Sequence, residues 1–226
     1  MADNQLKEGA RAALPIVLGS LPVGMAFGVL ARTAGLNPLE AGSMSFLVYA
    51  GASQFIAVEM LSSGASLVPI VFTTFFINLR HVLMSSTVSL YFNRQPLRVM
   101  GLLSAQLTDE SFAVAMADPS RISNRPRYLV ALQMTSQLAW ITGSLAGAIF
   151  GSFINSSSYG IPFALPALFI GLLALQLKSR IHFCVMGLAC VSSLLFKWIV
   201  PGNWYIVMAA LVASVAGLGL EWRRRR

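Results

Sequence analysis

Residues 67–92 read LVPIVFTTFFINLRHVLMSSTVSLYF, an apolar run long enough to cross a hydrocarbon core of about 30 Å as a helix. Near its middle stand Asn78, Arg80 and His81. A charged side chain at that depth costs about 2.5 to 3.5 kcal/mol on the mild insertion scale, so Arg80 should face a partner or a wet cavity. The stretch sets two expectations together. The chain is all-α, a polytopic bundle of transmembrane helices, and Arg80 belongs to something inside that bundle. Asn78 and His81 are three apart and share a helix face. An arginine here can neutralise a carboxylate and a histidine can titrate near physiological pH. The plainer alternative is a structural ion pair that locks helix packing.

The remaining sequence agrees with this class. Of 226 residues, 56% are hydrophobic and 11% charged, against about 25% charged in ordinary soluble domains, and mean hydropathy is +0.72. Eight hydrophobic segments can be marked: 14–31, 42–61, 67–92, 99–117, 129–153, 163–177, 183–200 and 204–220. Little is left for loops, so one transmembrane domain over residues 1–226 is expected. Met1–Arg11 is polar and shows no small-residue cleavage site, which leaves the first apolar run in the mature chain. Cys184 and Cys190 lie six apart on one run and fit neither a disulfide framework nor a metal site. No repeat relates the two halves.

The formal charge of +8 reads as topology rather than as a nucleic-acid surface, because the basic residues lie between apolar runs and at Arg223–Arg226. With eight spans and a cytoplasmic N-terminus, Lys7, Arg11, Arg121, Arg125, Arg127, Lys178, Arg180 and the tail fall inside. Arg32, Arg94, Arg98 and Lys197 fall outside. A second arrangement lets the first segment, with Pro15, Gly19, Pro22, Gly24 and Gly28, and the fourth, with Gln106, Thr108, Asp109 and Glu110, dip in and return. Arg32, Arg94 and Arg98 then join the inner set. The bundle thus has six to eight hydrophobic segments with broken or re-entrant helices, and both arrangements keep the termini in the cytoplasm.

Besides Asn78, Arg80 and His81, three groups of residues could carry chemistry. The fourth segment holds Gln106, Thr108, Asp109 and Glu110, and two adjacent carboxylates in an apolar run call for a cation such as Arg80 or for a proton. Asp109 could instead simply cap a helix that begins after a break. In the second segment, Gly51-Ala52-Ser53-Gln54-Phe55 allows close backbone approach, and Gln54 offers both donor and acceptor. Ser53 with His81 gives a weak hint of an intramembrane hydrolase, though no oxyanion or metal motif accompanies them. The fifth segment aligns Gln133, Gln137, Trp140 and Ser144 on one face, and Gly143, Gly147 and Gly151 form overlapping GxxxG patterns suited to tight packing. Glu59 and His182 read as interfacial residues.

Several stretches in order resemble the AzlC-type permeases, the large subunit of bacterial branched-chain amino acid exporters. They are Ala13-Leu14-Pro15-Ile16 with Pro22-x-Gly24-x-Ala26-Phe27-Gly28, then Ala50-Gly51-Ala52-Ser53-Gln54-Phe55 and Asn78-Leu79-Arg80-His81. Thr108-Asp109-Glu110-x-Phe112-Ala113 and Phe163-Ala164-Leu165-Pro166-Ala167-Leu168-Phe169 follow. The resemblance implies a secondary transporter, not an enzyme, that exports branched-chain or related hydrophobic amino acids across the bacterial inner membrane, without a cofactor. It also implies a small hydrophobic AzlD-type subunit as partner. The expected polar lining is Gln54, Asn78, Arg80, His81, Asp109 and Glu110, with Arg80 pairing a carboxylate and Asp109 or Glu110 carrying a proton. Pro162 departs from relatives, which often have an acid just before the Phe-Ala-Leu-Pro stretch. The competing reading is an ion or small-solute channel lined by the same residues.

Overall fold

The computed structural model describes residues 2–92, 95–123, 125–151, 180–199 and 204–225, together with Phe163, Ala167, Ile170, Leu173, Ala174 and Leu177. Every regular element among them is helical, and the chain divides into two compact units, Met1–Leu165 and Pro166–Arg226. Pro162 and most of the 163–169 stretch lie outside the described residues.

The first unit runs α1 (Ala2–Ala12), α2 (Leu14–Thr33), α3 (Pro38–Leu47), α4 (Gly51–Ser62), α5 (Leu67–Ser89), α6 (Leu97–Ala105), α7 (Asp109–Ala117), a 3-10 turn at Pro119–Arg121, and α8 (Pro126–Phe150). Helix α8 is its axis: α1, α2, α3, α6 and α7 all pack against it. Its inner face mixes polar with apolar side chains, Gln133, Ser136, Gln137 and Ser144 being buried beside Leu129, Leu132 and Trp140, while Leu138, Ile149 and Phe150 face outward. Buried amides and hydroxyls under an apolar exterior are the reverse of a water-soluble helix. A lipid surround accepts the apolar side chains, and the polar ones must find partners inside.

Two apolar clusters sit at the two halves of α8. Leu129 and Leu132 join Leu103, Leu107 and Ile122 in one. In the other, Trp140 stacks on Phe27 with centroids 6.2 Å apart, and Phe55 meets both rings edge-on. The α2–α8 seam is closer than side chains would allow. A Cβ on Gly28 would run into the Ser144 carbonyl and the Ala148 backbone, and one on Gly147 would run into the backbone of Met25. The small-residue stripe of α8 therefore has its partner in the stripe Gly24 and Gly28 of α2.

The second unit contains α9 (Arg180–Ile199) and α10 (Trp204–Arg225), which pack on each other. Gly217 lies against Val185, and Ala209 and Ala213 on the same stripe of α10 are buried. Three described helices, Leu14–Thr33, Leu67–Ser89 and Ile181–Ile199, are long and apolar enough to cross a membrane.

The breaks do not all fall where proline and glycine suggested. Helix α2 continues through Pro22, because a membrane helix locked along a neighbour tolerates the missing N–H. The second segment breaks instead, at 48–50 between α3 and α4, with Tyr49 at a φ of +40°. A bulky residue in that region stores about 1 to 3 kcal/mol and persists only where its surroundings fix it. Helix α3 also begins earlier than the apolar run. Asn37 accepts from the Glu40 N–H at 2.9 Å and the Glu40 carboxylate accepts from the Asn37 N–H at 2.7 Å, a reciprocal cap. The fourth segment breaks as expected, at 106–108. The polar N-terminus forms α1.

Candidate functional site

Two broken helices, α3/α4 and α6/α7, present their interruptions to the polar face of α8. A helix that ends inside a bundle leaves carbonyls without partners, and these must be met by side chains. Gln137 Nε2 donates to the Phe46 carbonyl in the last turn of α3 at 3.0 Å. One turn earlier on α8, Gln133 Nε2 donates to the Leu103 carbonyl in the last turn of α6 at 2.8 Å. One face of α8 thus caps both half-helices.

A second chain of bonds fixes the start of α4. Trp140 Nε1 donates to Gln54 Oε1 at 3.0 Å, and Gln54 Nε2 donates to Ser45 Oγ at 3.1 Å. Ser45 Oγ then donates to Ser144 Oγ at 2.8 Å, and Ser144 Oγ to the Trp140 carbonyl at 2.7 Å. Gln54 is completely buried. Both ends of its amide are engaged, so it holds the first turn of α4 against α8. Ser53 beside it donates to Asn78 Oδ1 of α5 at 2.6 Å. The hydroxyl that a hydrolase would turn toward His81 is therefore directed at an amide oxygen.

The charged residues meet at the second break. Thr108 caps α7, its Oγ1 accepting from the Ser111 N–H at 3.3 Å while its own N–H donates to Ser111 Oγ at 2.9 Å. Asp109 and Glu110 fill the first turn of α7, where the helix dipole favours anions. Arg80 Nη1 of α5 reaches Asp109 Oδ2 at 2.5 Å, with both side chains only about a quarter exposed. His81 lies within electrostatic reach of Arg80 and Glu110. Tyr49, in the first break, meets the Thr108 side chain and feels Glu110, so the two breaks adjoin. Gln106 Nε2 donates to Gln137 Oε1 at 2.9 Å, which ties the second break to the residue capping α3.

The expected residues therefore divide. Arg80, His81, Asp109 and Glu110 come together around the start of α7, and Gln54 and Asn78 join α4 to α8 and to α5. Tyr49 and Ser45 carried no sequence signal, since neither is charged and no proline or glycine marks residues 48–50. Chemically, Arg80 offers the planar donor set that pairs a carboxylate, and the two acids offer sites for a proton or an ammonium group.

The family described as AzlC protein matches residues 15–154. An uncharacterized membrane protein of Archaeoglobus fulgidus is 36% identical over 77% of this chain and 77% of its own length. The inner membrane protein YgaZ of Escherichia coli is 34% identical over 79% of this chain and 76% of its own. The branched-chain amino acid transport protein AzlC of Bacillus subtilis is 26% identical over 88% and 78%. No solved structure matches the chain.

Proposed function

Because the chain belongs to the AzlC family, we propose that it is the large subunit of a secondary transporter exporting branched-chain or related hydrophobic amino acids across a bacterial inner membrane. The observation that carries the reading is the Arg80–Asp109 ion pair, held inside an apolar helical unit at the start of a broken helix. Buried charge at a helix break is how secondary transporters commonly build a site for a charged substrate and its coupling ion.

The mechanism follows from competition between proton and substrate at the two acids. From the cytoplasm the substrate enters while Asp109 and Glu110 are ionised, its carboxylate drawn to Arg80 and its ammonium group held in the negative field of the acids. On the outer side a proton taken up by Asp109 or Glu110 cancels that field and expels the substrate, and the empty site carries the proton back to the cytoplasm. His81 and Glu110 set the local charge, while Gln54 and Asn78 keep the first turn of α4 in place as the wall of the site. The reading takes residues 1–226 as one permease domain, with both termini cytoplasmic and a small AzlD-type subunit as partner. No catalytic residue is assigned.

Uptake of labelled amino acids into inverted vesicles tests this, with and without the small subunit and a proton gradient. Leucine, isoleucine or valine should accumulate only with the gradient imposed. Failure of every branched-chain and sulfur-containing amino acid sinks the substrate assignment, and gradient-independent accumulation sinks the coupling.

A further inference from the structure

Among the described residues, the buried side-chain atoms left without a hydrogen-bond partner are Arg80 Nε, Gln106 Oε1 and Gln133 Oε1. One is a donor on a cation and two are neutral acceptors. The identity of each acceptor is fixed by the backbone. Gln133 is completely buried, and only an amide nitrogen can serve the Leu103 carbonyl, so its oxygen is the free end. The Phe46 carbonyl likewise claims the nitrogen of Gln137. Gln137 must then show its oxygen to Gln106, and Gln106 must answer with its nitrogen. The oxygen of Gln106 is left over for the same reason as that of Gln133.

Gln133 meets Leu103 and Gln137 meets Gln106, so the two unpaired oxygens lie on neighbouring turns of one α6–α8 seam. Native interiors seldom leave such groups unmade. Both atoms accept and neither donates, so whatever completes them must bring N–H or O–H groups. The surroundings favour a cation. The C-terminal end of α6 lies here, where helix carbonyls collect partial negative charge, and Asp109 follows three residues after Gln106.

We propose that Gln106 and Gln133 form a subsite for the α-ammonium group of the transported amino acid. Arg80, whose Nε also lacks an acceptor and whose Nη1 meets Asp109 three residues beyond Gln106, takes the carboxylate on the same α-carbon. This rests on the transporter reading above and deepens it, since the pattern of one unpaired donor and two unpaired acceptors is complementary to a zwitterion. Side-chain selectivity then belongs to other residues, and the pair distinguishes an amino acid from its deaminated analogue.

The test compares binding of leucine and of 4-methylpentanoate to the purified full chain with its small subunit, as wild type, Gln106→Leu and Gln133→Leu. The deaminated acid keeps the carboxylate and side chain and has no donor at the α-carbon. Gln106 supports no backbone carbonyl, so its variant leaves both helix breaks capped and decides the matter if Gln133→Leu does not fold. Leucine affinity should fall at least about fivefold in Gln106→Leu while the affinity for the deaminated acid stays unchanged. A purely structural role weakens both ligands alike. An unchanged leucine-to-4-methylpentanoate ratio in the folded variants overturns the subsite and leaves the transporter reading standing. A wild type that binds neither ligand overturns both.

Discussion

At the scale of the residue, the Arg80–Asp109 pair holds two roles that a double-mutant cycle can separate. Arg80→Gln strands a carboxylate and Asp109→Asn strands a guanidinium, so each single variant should be destabilised. The double variant removes both charges and should recover most of the loss. A coupling energy of about 0.5 to 3 kcal/mol, measured by unfolding in detergent, is the expected outcome, and additive effects would show that the contact carries no energy. Transport should behave differently: the double variant recovers fold and not activity. An Asp109→Asn, Glu110→Gln variant should lose both transport and its pH dependence, and an unchanged pH profile in the vesicle assay would remove the acids from coupling. These charged residues were legible in the sequence because a charge in an apolar run has few reasons to be there. Gln54 was legible only as a polar group. Which end of its amide meets which partner depends on Trp140 and Ser45, which are 86 and 9 residues away, and no local pattern encodes that.

At the scale of the element, glycine and proline proved ambiguous. Gly24 and Gly28 fitted a helix breaker next to Pro22 as well as they fitted a packing stripe, and only the contact with Gly143 and Gly147 decides for packing. The real break at 48–50 has no marker of its own. Its C-terminal carbonyl is capped by Gln137 from α8, and a cap donated from a distant helix is invisible in a local reading. The seam makes a sharp prediction about alanine. Gly28→Ala and Gly147→Ala place a methyl group against the facing backbone, which no rotamer can relieve, so α2 and α8 must move apart. A loss of at least about 1 to 3 kcal/mol is expected by thermal or denaturant unfolding. Gly19→Ala, on the same helix α2 with open space around it, should be neutral or stabilising by up to about 1 kcal/mol. Equal effects at the three sites would show that the close approach is not what holds α2 to α8. Gln137→Leu tests the caps in the same assay. It strands the Phe46 carbonyl and the Gln106 amide together and should cost about 2 to 5 kcal/mol if neither finds water.

At the scale of the whole molecule, the first unit sharpens the reading of the charges. Glu8 of α1 pairs with Arg125 at 2.5 Å, Gly9 lies under the Tyr128 carbonyl, and Arg125 stacks over the Tyr128 ring. Helix α1 is thereby fastened to the beginning of α8, which puts Lys7 and Arg11 at the same end of the unit as Arg121, Arg125 and Arg127. These are the first-unit members of the set assigned to the inner side from sequence alone, gathered here by contacts that do not depend on the positive-inside rule. Helix α2 leaves from this end and runs 20 residues without interruption, about 30 Å at helical rise, which is enough to cross the hydrocarbon core. A first segment that dips in and returns needs a break that α2 does not have, so Arg32 and Thr33 should emerge on the far side. Single cysteines in a background lacking Cys184 and Cys190 test this with a membrane-impermeant thiol reagent. Lys7→Cys and Ser123→Cys should label in inverted vesicles and stay silent in right-side-out ones, and Thr33→Cys should show the opposite. All three positions are exposed, so accessibility reports side rather than burial. Labelling of Thr33→Cys from the same side as Lys7→Cys would return the first segment to a re-entrant path, and labelling of Lys7→Cys from outside would invert the molecule and overturn the cytoplasmic placement of its N-terminus.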